Sequence, residues 1–220
     1  MWGAADQARV NRPILESLGV TIAALVDDTP GLASPFEGIP LLRGGDGLAA
    51  WLETQDASAL GFVIAIGNPY GHVRSALHQK LVGAGLTPVS FADPSALVCR
   101  TANLGEGLQV MPLAIIHNDA DVGRQCLVNT RALVEHDCVL EPGVEIGPGA
   151  VLCGRVHVGE NSWVGAGATI RPRIRIGKNT IVGAGAVVVA DVPDGVIAVG
   201  VPAKPLPNRA PASAQAVSKA

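Results

Sequence analysis

One histidine in this sequence lies between two acids, in the segment Glu135-His136-Asp137. Imidazole accepts a proton near neutral pH, so His136 is a candidate general base for a reaction in which a nucleophile loses a proton. A carboxylate beside the ring would favour the imidazolium ion and fix the tautomer. Neighbouring side chains alternate in direction, so either acid could be that partner. A surface histidine with two solvated acids is the alternative interpretation.

A six-residue repeat positions this histidine. Every sixth residue from Val98 to Val188 is Val, Leu or Ile, and the residue four places after each is mostly small. This period predicts flat strands that meet at tight corners, with the aliphatic side chain in the axis and the small residue at the corner. Three such units make a triangular coil of about 18 residues. The sequence therefore predicts a parallel β-helix of about five coils.

The 18-residue spacing brings a glycine beside the histidine. Gly154 lies one coil after His136, at the same corner. A ligand carbonyl could approach its backbone closely, and its N–H could stabilise an oxyanion. A glycine needed only to form the corner is the alternative. Glycines also follow many of the aliphatic residues, which indicates backbone shapes that a Cβ would hinder.

Composition excludes several classes of protein. The net charge is −3 and the pI about 5.9, so no basic surface for nucleic acid is expected. No apolar run is long enough for a membrane span, and no export leader is present. The four cysteines form no CxxC motif and indicate reduced thiols in a cytoplasmic protein.

Residues 1–95 show a different pattern, in which strands alternate with helices around a small parallel sheet. The residues 96–204 are assigned to the β-helix, and 205–220 to a disordered tail rich in Pro, Ala and Ser. Pro13 is expected in the first turn of its helix. The predicted helices are 9–19, 47–53 and 72–85, and the predicted buried strands are 20–26, 61–66 and 86–91.

Two segments carry a resemblance to a known family. They are the run from Val128 to Cys138 (VNTRALVEHDC) and the run from Asp191 to Lys204 (DVPDGVIAVGVPAK). Together with the repeat, they resemble the hexapeptide-repeat sugar acyltransferases, which include the bacillosamine-type and perosamine-type N-acetyltransferases and sialic-acid O-acetyltransferases. The resemblance implies a Rossmann-like nucleotide-sugar-binding domain, a left-handed β-helix and a homotrimer. It also implies acetyl transfer from acetyl-CoA to the amine of a nucleotide-linked amino sugar, without an acyl-enzyme.

The resemblance assigns roles along the β-helix. His136 would be the base, Asp137 or Glu135 would tune it, and the Gly154 amide would bind the oxyanion. Acetyl-CoA would lie in a groove between neighbouring β-helices, against small residues that stack 18 apart; tight corner packing would need the same residues. The small residues are Gly165, Ala166, Gly183 and Ala184. A nearby basic cluster could meet the 3′-phosphate or could be a solvated face, and it consists of Arg171, Arg173, Arg175 and Lys178.

The acceptor site departs from the family pattern. Relatives have a Gly-rich turn, G-x-G-G-H, where this chain has Gly3-Ala-Ala-Asp-Gln-Ala8, so Asp6 puts a negative charge where phosphates are expected. Asp27-Asp28 and Gly67-Asn68 match the family's base- and ribose-contacting turns. Glu145 stands where many relatives have a second histidine. Its carboxylate could bind a sugar amine or hydroxyl, or could be a solvated edge residue.

Other functions fit parts of the pattern. An O-acetyltransferase would use the same base, and a non-catalytic sugar-nucleotide-binding scaffold would explain the altered acceptor residues. Hexapeptide β-helices also form zinc carbonic anhydrases, which use three imidazoles. His117, His136 and His157 are 19 and 21 residues apart and so fall at different places on successive coils. We therefore expect no metal site.

Overall fold

The structure is a computed structural model that describes residues 1–206 of the 220-residue chain. The chain forms two compact units. Among the described residues, the first contains Met1–Ile66 and Leu77–Val89, and the second contains Gly67–Ala76 and residues 90–206. Most of the predicted disordered tail, residues 207–220, lies outside the described residues. Within the described part, no helix is both long and apolar enough to cross a membrane.

The first unit contains short parallel strands. Leu25–Asp27 pairs with Leu41–Arg43, and Gly61–Phe62 pairs with Thr87–Pro88. Trp2 forms parallel bridges to both Val26 and Ile64 and so joins the two pairs. Trp2, Val26 and Ile64 are buried in an apolar cluster with Leu48, Phe62, Leu81 and Leu86. The helices before residue 90 are Asp6–Ser17, Gly44–Leu52 and Gly71–Gly83, with a 3-10 turn at Ala57–Ala59; the last helix belongs to the first unit only from Leu77 onwards.

Several predicted elements of this unit need correction. The first helix begins at Asp6 rather than at residue 9, so Pro13 lies in its interior, where it removes one backbone hydrogen bond. The strand predicted over 20–26 is paired only from Leu25, because its partner has just three residues. That partner, Leu41–Arg43, was not predicted.

The second unit contains the predicted parallel β-helix. Its strands stack in three sheets, and neighbouring coils pair in register 18 residues apart, as Leu127 does with Glu145 and Leu133 with Val151. The hexapeptide pattern and parallel sheets fit a left-handed β-helix. A last strand, Lys204–Pro205, pairs antiparallel with Ile197–Val199.

Each of the three sheets forms one face of the β-helix, and the faces are numbered by the order in which their first strands occur in the chain. The first face consists of Phe91–Ala92, Gln109–Val110, Leu127–Val128, Glu145–Ile146, Trp163–Val164, Ile181–Val182, Ile197–Val199 and Lys204–Pro205. The second face consists of Leu97–Val98, Ile115–Ile116, Leu133–Val134, Val151–Leu152, Thr169–Ile170 and Val187–Val188. The third face consists of Asn103–Leu104, Asp121–Val122, Val139–Leu140, His157–Val158 and Arg175–Ile176.

Both predicted classes of inward residue fill the axis. Aliphatic residues such as Val134 and Leu152 are buried together with small residues such as Ala132 and Ala150. Leu104 is an exception, since it is 49% exposed. Its strand is the terminal strand of the third face, so no earlier coil covers it.

The corners use left-handed backbone at every sixth residue from Gly107 to Gly185, and most of these positions are not glycine. The glycines predicted to relax the backbone stand two residues earlier and serve a different purpose. A β-carbon on Gly165, for example, would lie 2.7 Å from the backbone nitrogen of Ala184 on the next coil. These glycines therefore allow close approach of successive coils rather than an unusual dihedral angle.

Candidate active site

His136 lies at the corner that follows the second face, where the strand Leu133–Val134 ends. Its Nδ1 is 2.7 Å from Oδ2 of Asp137, and its side chain is 50% exposed. Glu135 accepts a hydrogen bond from the backbone N–H of His136 at 2.9 Å, and its carboxylate is 4.0 Å from Nε2. Asp137 is thus the hydrogen-bond partner of the imidazole. This hydrogen bond lowers the pKa of Asp137.

Gly154 lies directly beside the other imidazole nitrogen. A β-carbon at this residue would be 2.4 Å from Nε2 of His136, so any side chain would displace the ring. The amides on either side are occupied: Cys153 donates to the Ile170 carbonyl and Arg155 to the His136 carbonyl. Within residues 1–206 the Gly154 N–H itself makes no hydrogen bond. A base and an available backbone donor therefore lie side by side.

The name histidine corner is used for residues 135–137, 153–155 and 171–173, and glycine corner for 147–149, 165–167 and 183–185. The residues predicted to contact acetyl-CoA divide between them, because Gly154 is at the histidine corner and Gly165, Ala166, Gly183 and Ala184 are at the glycine corner. In the described part of the chain, the N–H groups of Ala166 and Ala184 make no hydrogen bond. The second face separates the two corners, by up to about 20 Å for six extended residues.

The predicted basic cluster also divides. Arg171 and Arg173 flank Pro172, one coil beyond Gly154, and line a groove of about 600 Å³. Arg175 and Lys178 belong to a separate cleft of about 410 Å³ on the third face. Of the four basic residues, only Arg171 and Arg173 therefore lie at the histidine corner, one coil beyond Gly154.

Glu145 is 2% exposed, which excludes a solvated edge position. Its carboxylate accepts hydrogen bonds from Asn68 and Asn129, each at 3.1 Å, and from Nη1 of Arg74 at 3.4 Å. Burial raises the pKa of Glu145, and the charge of Arg74 opposes this rise. Glu145 thus binds protein groups at both oxygens.

The sequence gives no sign that Arg74 has a special role, because it lies inside the helix predicted over 72–85 and belongs to no motif or repeat. It is fully buried, and its guanidinium also donates to the backbone carbonyls of Gln125 at 3.0 Å and Gly143 at 2.8 Å. The Gly67 carbonyl accepts from Nη1 at 3.5 Å. Arg74 and Glu145 together fix the segment that carries the predicted acceptor residues Gly67 and Asn68.

The remaining predicted acceptor residues meet in the first unit. The Gly3 N–H donates to the Val26 carbonyl at the end of the adjacent strand. The Asp27 carboxylate accepts from the Ala4 N–H at 2.8 Å and the Thr29 N–H at 2.9 Å. Asp28 is exposed. The Ala4 amide, two residues after the bridge at Trp2, is therefore occupied by a carboxylate rather than open to a phosphate.

The other two histidines considered for a metal have local partners. Nδ1 of His117 accepts from the Asn118 N–H at 2.9 Å, and Nε2 of His157 is 2.8 Å from Glu141. Across residues 1–206, no group of three or more His, Cys, Asp or Glu side chains could hold a metal ion.

Comparisons with known proteins identify relatives of this chain. The family model described as bacterial transferase hexapeptide (six repeats) matches residues 155–190. A histidine-to-alanine variant of GDP-perosamine N-acetyltransferase from Caulobacter crescentus, in complex with CoA and GDP-perosamine, is 37% identical and superimposes with a TM-score of 0.87 over 94% of this chain and 95% of its own. The chain belongs to the hexapeptide-repeat family of nucleotide-amino-sugar acetyltransferases.

Two further members extend the comparison. The acetyltransferase domain of PglB from Neisseria gonorrhoeae, in complex with acetyl coenzyme A, is 30% identical, with a TM-score of 0.82 over 93% of this chain and 97% of that domain. GDP-perosamine N-acetyltransferase from Escherichia coli is 32% identical over 103 residues. That alignment spans a little under half of each protein, 47% of this chain and 46% of the relative.

Proposed function

We propose that this protein transfers the acetyl group of acetyl-CoA to the amine of a nucleotide-linked amino sugar. The observation that carries the proposal is the arrangement at the histidine corner. Nδ1 of His136 is held by Asp137, and Nε2 lies beside Gly154, whose N–H makes no hydrogen bond within the described residues. Relatives with CoA and GDP-perosamine bound make a GDP-linked amino sugar the first acceptor to test.

The reaction proceeds by direct attack. The sugar amine attacks the thioester carbonyl carbon, and Nε2 of His136 takes a proton from the nitrogen as the C–N bond forms. The Gly154 N–H donates to the carbonyl oxygen as it becomes negative. When the C–S bond breaks, the imidazolium returns the proton to the CoA sulfur. Asp137 remains ionised and stabilises the imidazolium for as long as the tetrahedral intermediate exists.

A homotrimer would complete the acetyl-CoA site. The outward residues of the second face are almost all apolar, namely Leu97, Ile115, Leu133, Val151, Thr169 and Val187, and Leu97 is 53% exposed. The third face is polar by comparison, with Asp121, His157 and Arg175 pointing outward. Apolar surface of this extent favours association of copies through the second face.

Threefold symmetry would also unite the two corners. If each copy turns its second face towards the axis, the histidine corner of one copy meets the glycine corner of the next. The pantetheine of acetyl-CoA would then lie between His136 and Gly154 of one copy and the amides of Ala166 and Ala184 of its neighbour. Arg171 and Arg173, one coil further along, would meet the phosphates of CoA.

The first unit would act as a Rossmann-like domain that holds the nucleotide, in a protein of the cytoplasm. Its strands are parallel, and Gly3, Asp27 and Asp28 lie at their carboxyl ends, where such folds bind ligands. Because Asp27 occupies the Ala4 amide, Asp28 is the better candidate for contact with base or ribose. Gly67 and Asn68, which belong to the second unit, stay predicted acceptor contacts.

Mass spectrometry with matched acceptors tests the proposal. The protein is incubated with acetyl-CoA and either GDP-perosamine or a GDP-sugar that has hydroxyls only. We expect a gain of one acetyl group on the amino sugar alone. Acetylation of the hydroxy sugar alone would make the protein an O-acetyltransferase. If neither sugar is acetylated although both ligands bind by calorimetry, the protein is a binding scaffold.

A further inference from the structure

The guanidinium of Arg155 reaches the His136–Asp137 pair from the next coil. Nε of Arg155 is 3.5 Å from Oδ2 of Asp137, the same oxygen that lies 2.7 Å from Nδ1 of His136. The backbone N–H of Arg155 also donates to the His136 carbonyl at 2.9 Å. One carboxylate oxygen is therefore shared between an imidazole and a guanidinium.

We infer that Arg155 is a positioning residue for the base, which holds Asp137 against the imidazole of His136 and so influences the pH dependence of the reaction; this inference rests on the proposed function. The guanidinium fixes Oδ2 of Asp137 against Nδ1, so the lone pair stays on Nε2, the nitrogen beside Gly154. Its positive charge also offsets that of the carboxylate. Removing the guanidinium should therefore change the pH dependence of the reaction.

The backbone supports a role for this side chain. Arg155 has a φ of 64°, in the left-handed region that favours glycine, and at the glycine corner the matching positions are Gly149, Gly167 and Gly185. Forming the corner therefore does not require a long side chain. The arginine at this position gives the histidine corner a charge that the glycine corner lacks.

Other charges near the imidazole come from four successive coils. They are Glu135 and Asp137 on its own coil, Asp119 one coil before, and Arg155 and then Arg173 on the coils after. Of these, Arg155 is the cation in contact with Asp137. Changing Arg155 therefore removes the positive charge nearest to the pair, while both carboxylates remain.

The test is the pH dependence of kcat/KM for the amino-sugar acceptor at saturating acetyl-CoA. Arg155→Gln should move the acidic limb of the kcat/KM profile to higher pH by roughly half a pH unit, which is the effect of one charge about 6 Å away in water. Arg155→Lys keeps the charge and should leave the limb in place. Arg124→Gln is the matched control, since it removes an exposed arginine at a corner away from the second face.

A double variant separates positioning from a general structural effect. With Asp137→Asn, nothing holds the guanidinium near the ring, so adding Arg155→Gln should no longer move the limb. An unchanged limb in Arg155→Gln, or an equal shift with and without Asp137, overturns the inference. Failure of the proposed function itself is distinguishable, because the wild-type protein would then not acetylate the amino sugar at any pH.

Discussion

The α-carbon of Gly154 lies against Nε2 of His136, so close that a β-carbon on residue 154 would be 2.4 Å from that nitrogen. The two residues are 18 apart and come from consecutive coils. The same contact that leaves no room for a side chain places a backbone donor beside the base. The β-helix thus builds the candidate site from its repeat length, without a loop or lid.

Replacing Gly154 with alanine should therefore remove activity and keep the fold. The new methyl group would displace the imidazole and misalign it with the oxyanion donor, so we expect kcat to fall by about 10²–10³-fold. Steady-state kinetics and thermal unfolding measure the two effects. Gly83→Ala is the control, since its β-carbon would have no neighbour within 4 Å. A Gly154→Ala protein with the wild-type kcat would contradict the assignment.

The Arg74–Glu145 pair should contribute strongly to stability. Glu145→Gln would leave the buried guanidinium without its anion, which costs about 3–5 kcal/mol in the free energy of unfolding. Urea denaturation measures this cost. The double variant Arg74→Met with Glu145→Leu should recover only part of it, because Arg74 also donates to the Gln125 and Gly143 carbonyls. A cost below about 1 kcal/mol for Glu145→Gln would show that the pair is not buried as described.

The sequence predicts the β-helix well because its period is set by residues in direct register. Val134 and Leu152 are buried as the hexapeptide pattern requires, and His136 meets Gly154 as the 18-residue spacing requires. The first unit is predicted less well. Its strands have two or three residues, so Leu41–Arg43 leaves no periodic signal, and a helix that tolerates Pro13 in its interior has misleading boundaries.

The pairing of Arg74 with Glu145 could not be predicted in the same way. Arg74 and Glu145 are 71 residues apart and belong to no repeat, so no spacing rule connects them. Their pairing appears only once the segment that contains Asn68 is placed. By contrast, the choice between Glu135 and Asp137 as the imidazole's partner depended on a local dihedral. The left-handed φ of 56° at Asp137 accompanies its contact with Nδ1.

The four thiols should differ in reactivity. Burial raises the pKa of Cys126 to about 12 and that of Cys138 to about 11, whereas Cys99 and Cys153 are partly exposed. A thiol reagent near pH 8 should therefore label only Cys99 and Cys153 in the native protein. Because Cys153 adjoins Gly154, acetyl-CoA should slow its labelling and leave Cys99 unaffected. Peptide mass spectrometry identifies the labelled residues, and rapid labelling of Cys126 would contradict the buried axis.

The Glu141–His157 contact should make the free energy of unfolding depend on pH in the acid range. Partial burial disfavours the charged form of Glu141, but the hydrogen bonds from His157 and the Glu160 N–H and the charge of Lys178 outweigh it, so its pKa is lowered from 4.5. The unfolded chain therefore binds more protons in this range, and the stability from Glu141 is present above pH 4.5 and is lost as pH falls through the folded pKa.

Urea titrations of the wild type and Glu141→Gln across that range test this prediction. The difference in free energy of unfolding between the two proteins should shrink as the pH falls. A difference that stays constant, or grows with acid, would mean that the contact with His157 does not favour the carboxylate.

The central claim is that Nε2 of His136 accepts the proton when the amine attacks acetyl-CoA. Single-turnover acetylation of GDP-perosamine by the wild type and by His136→Ala, each with saturating acetyl-CoA, tests it most directly. We predict a rate lower by about 10²–10⁴-fold in the variant, with unchanged affinity for CoA by calorimetry and partial recovery when free imidazole is added. A His136→Ala protein that acetylates the amine at the wild-type rate would contradict the account.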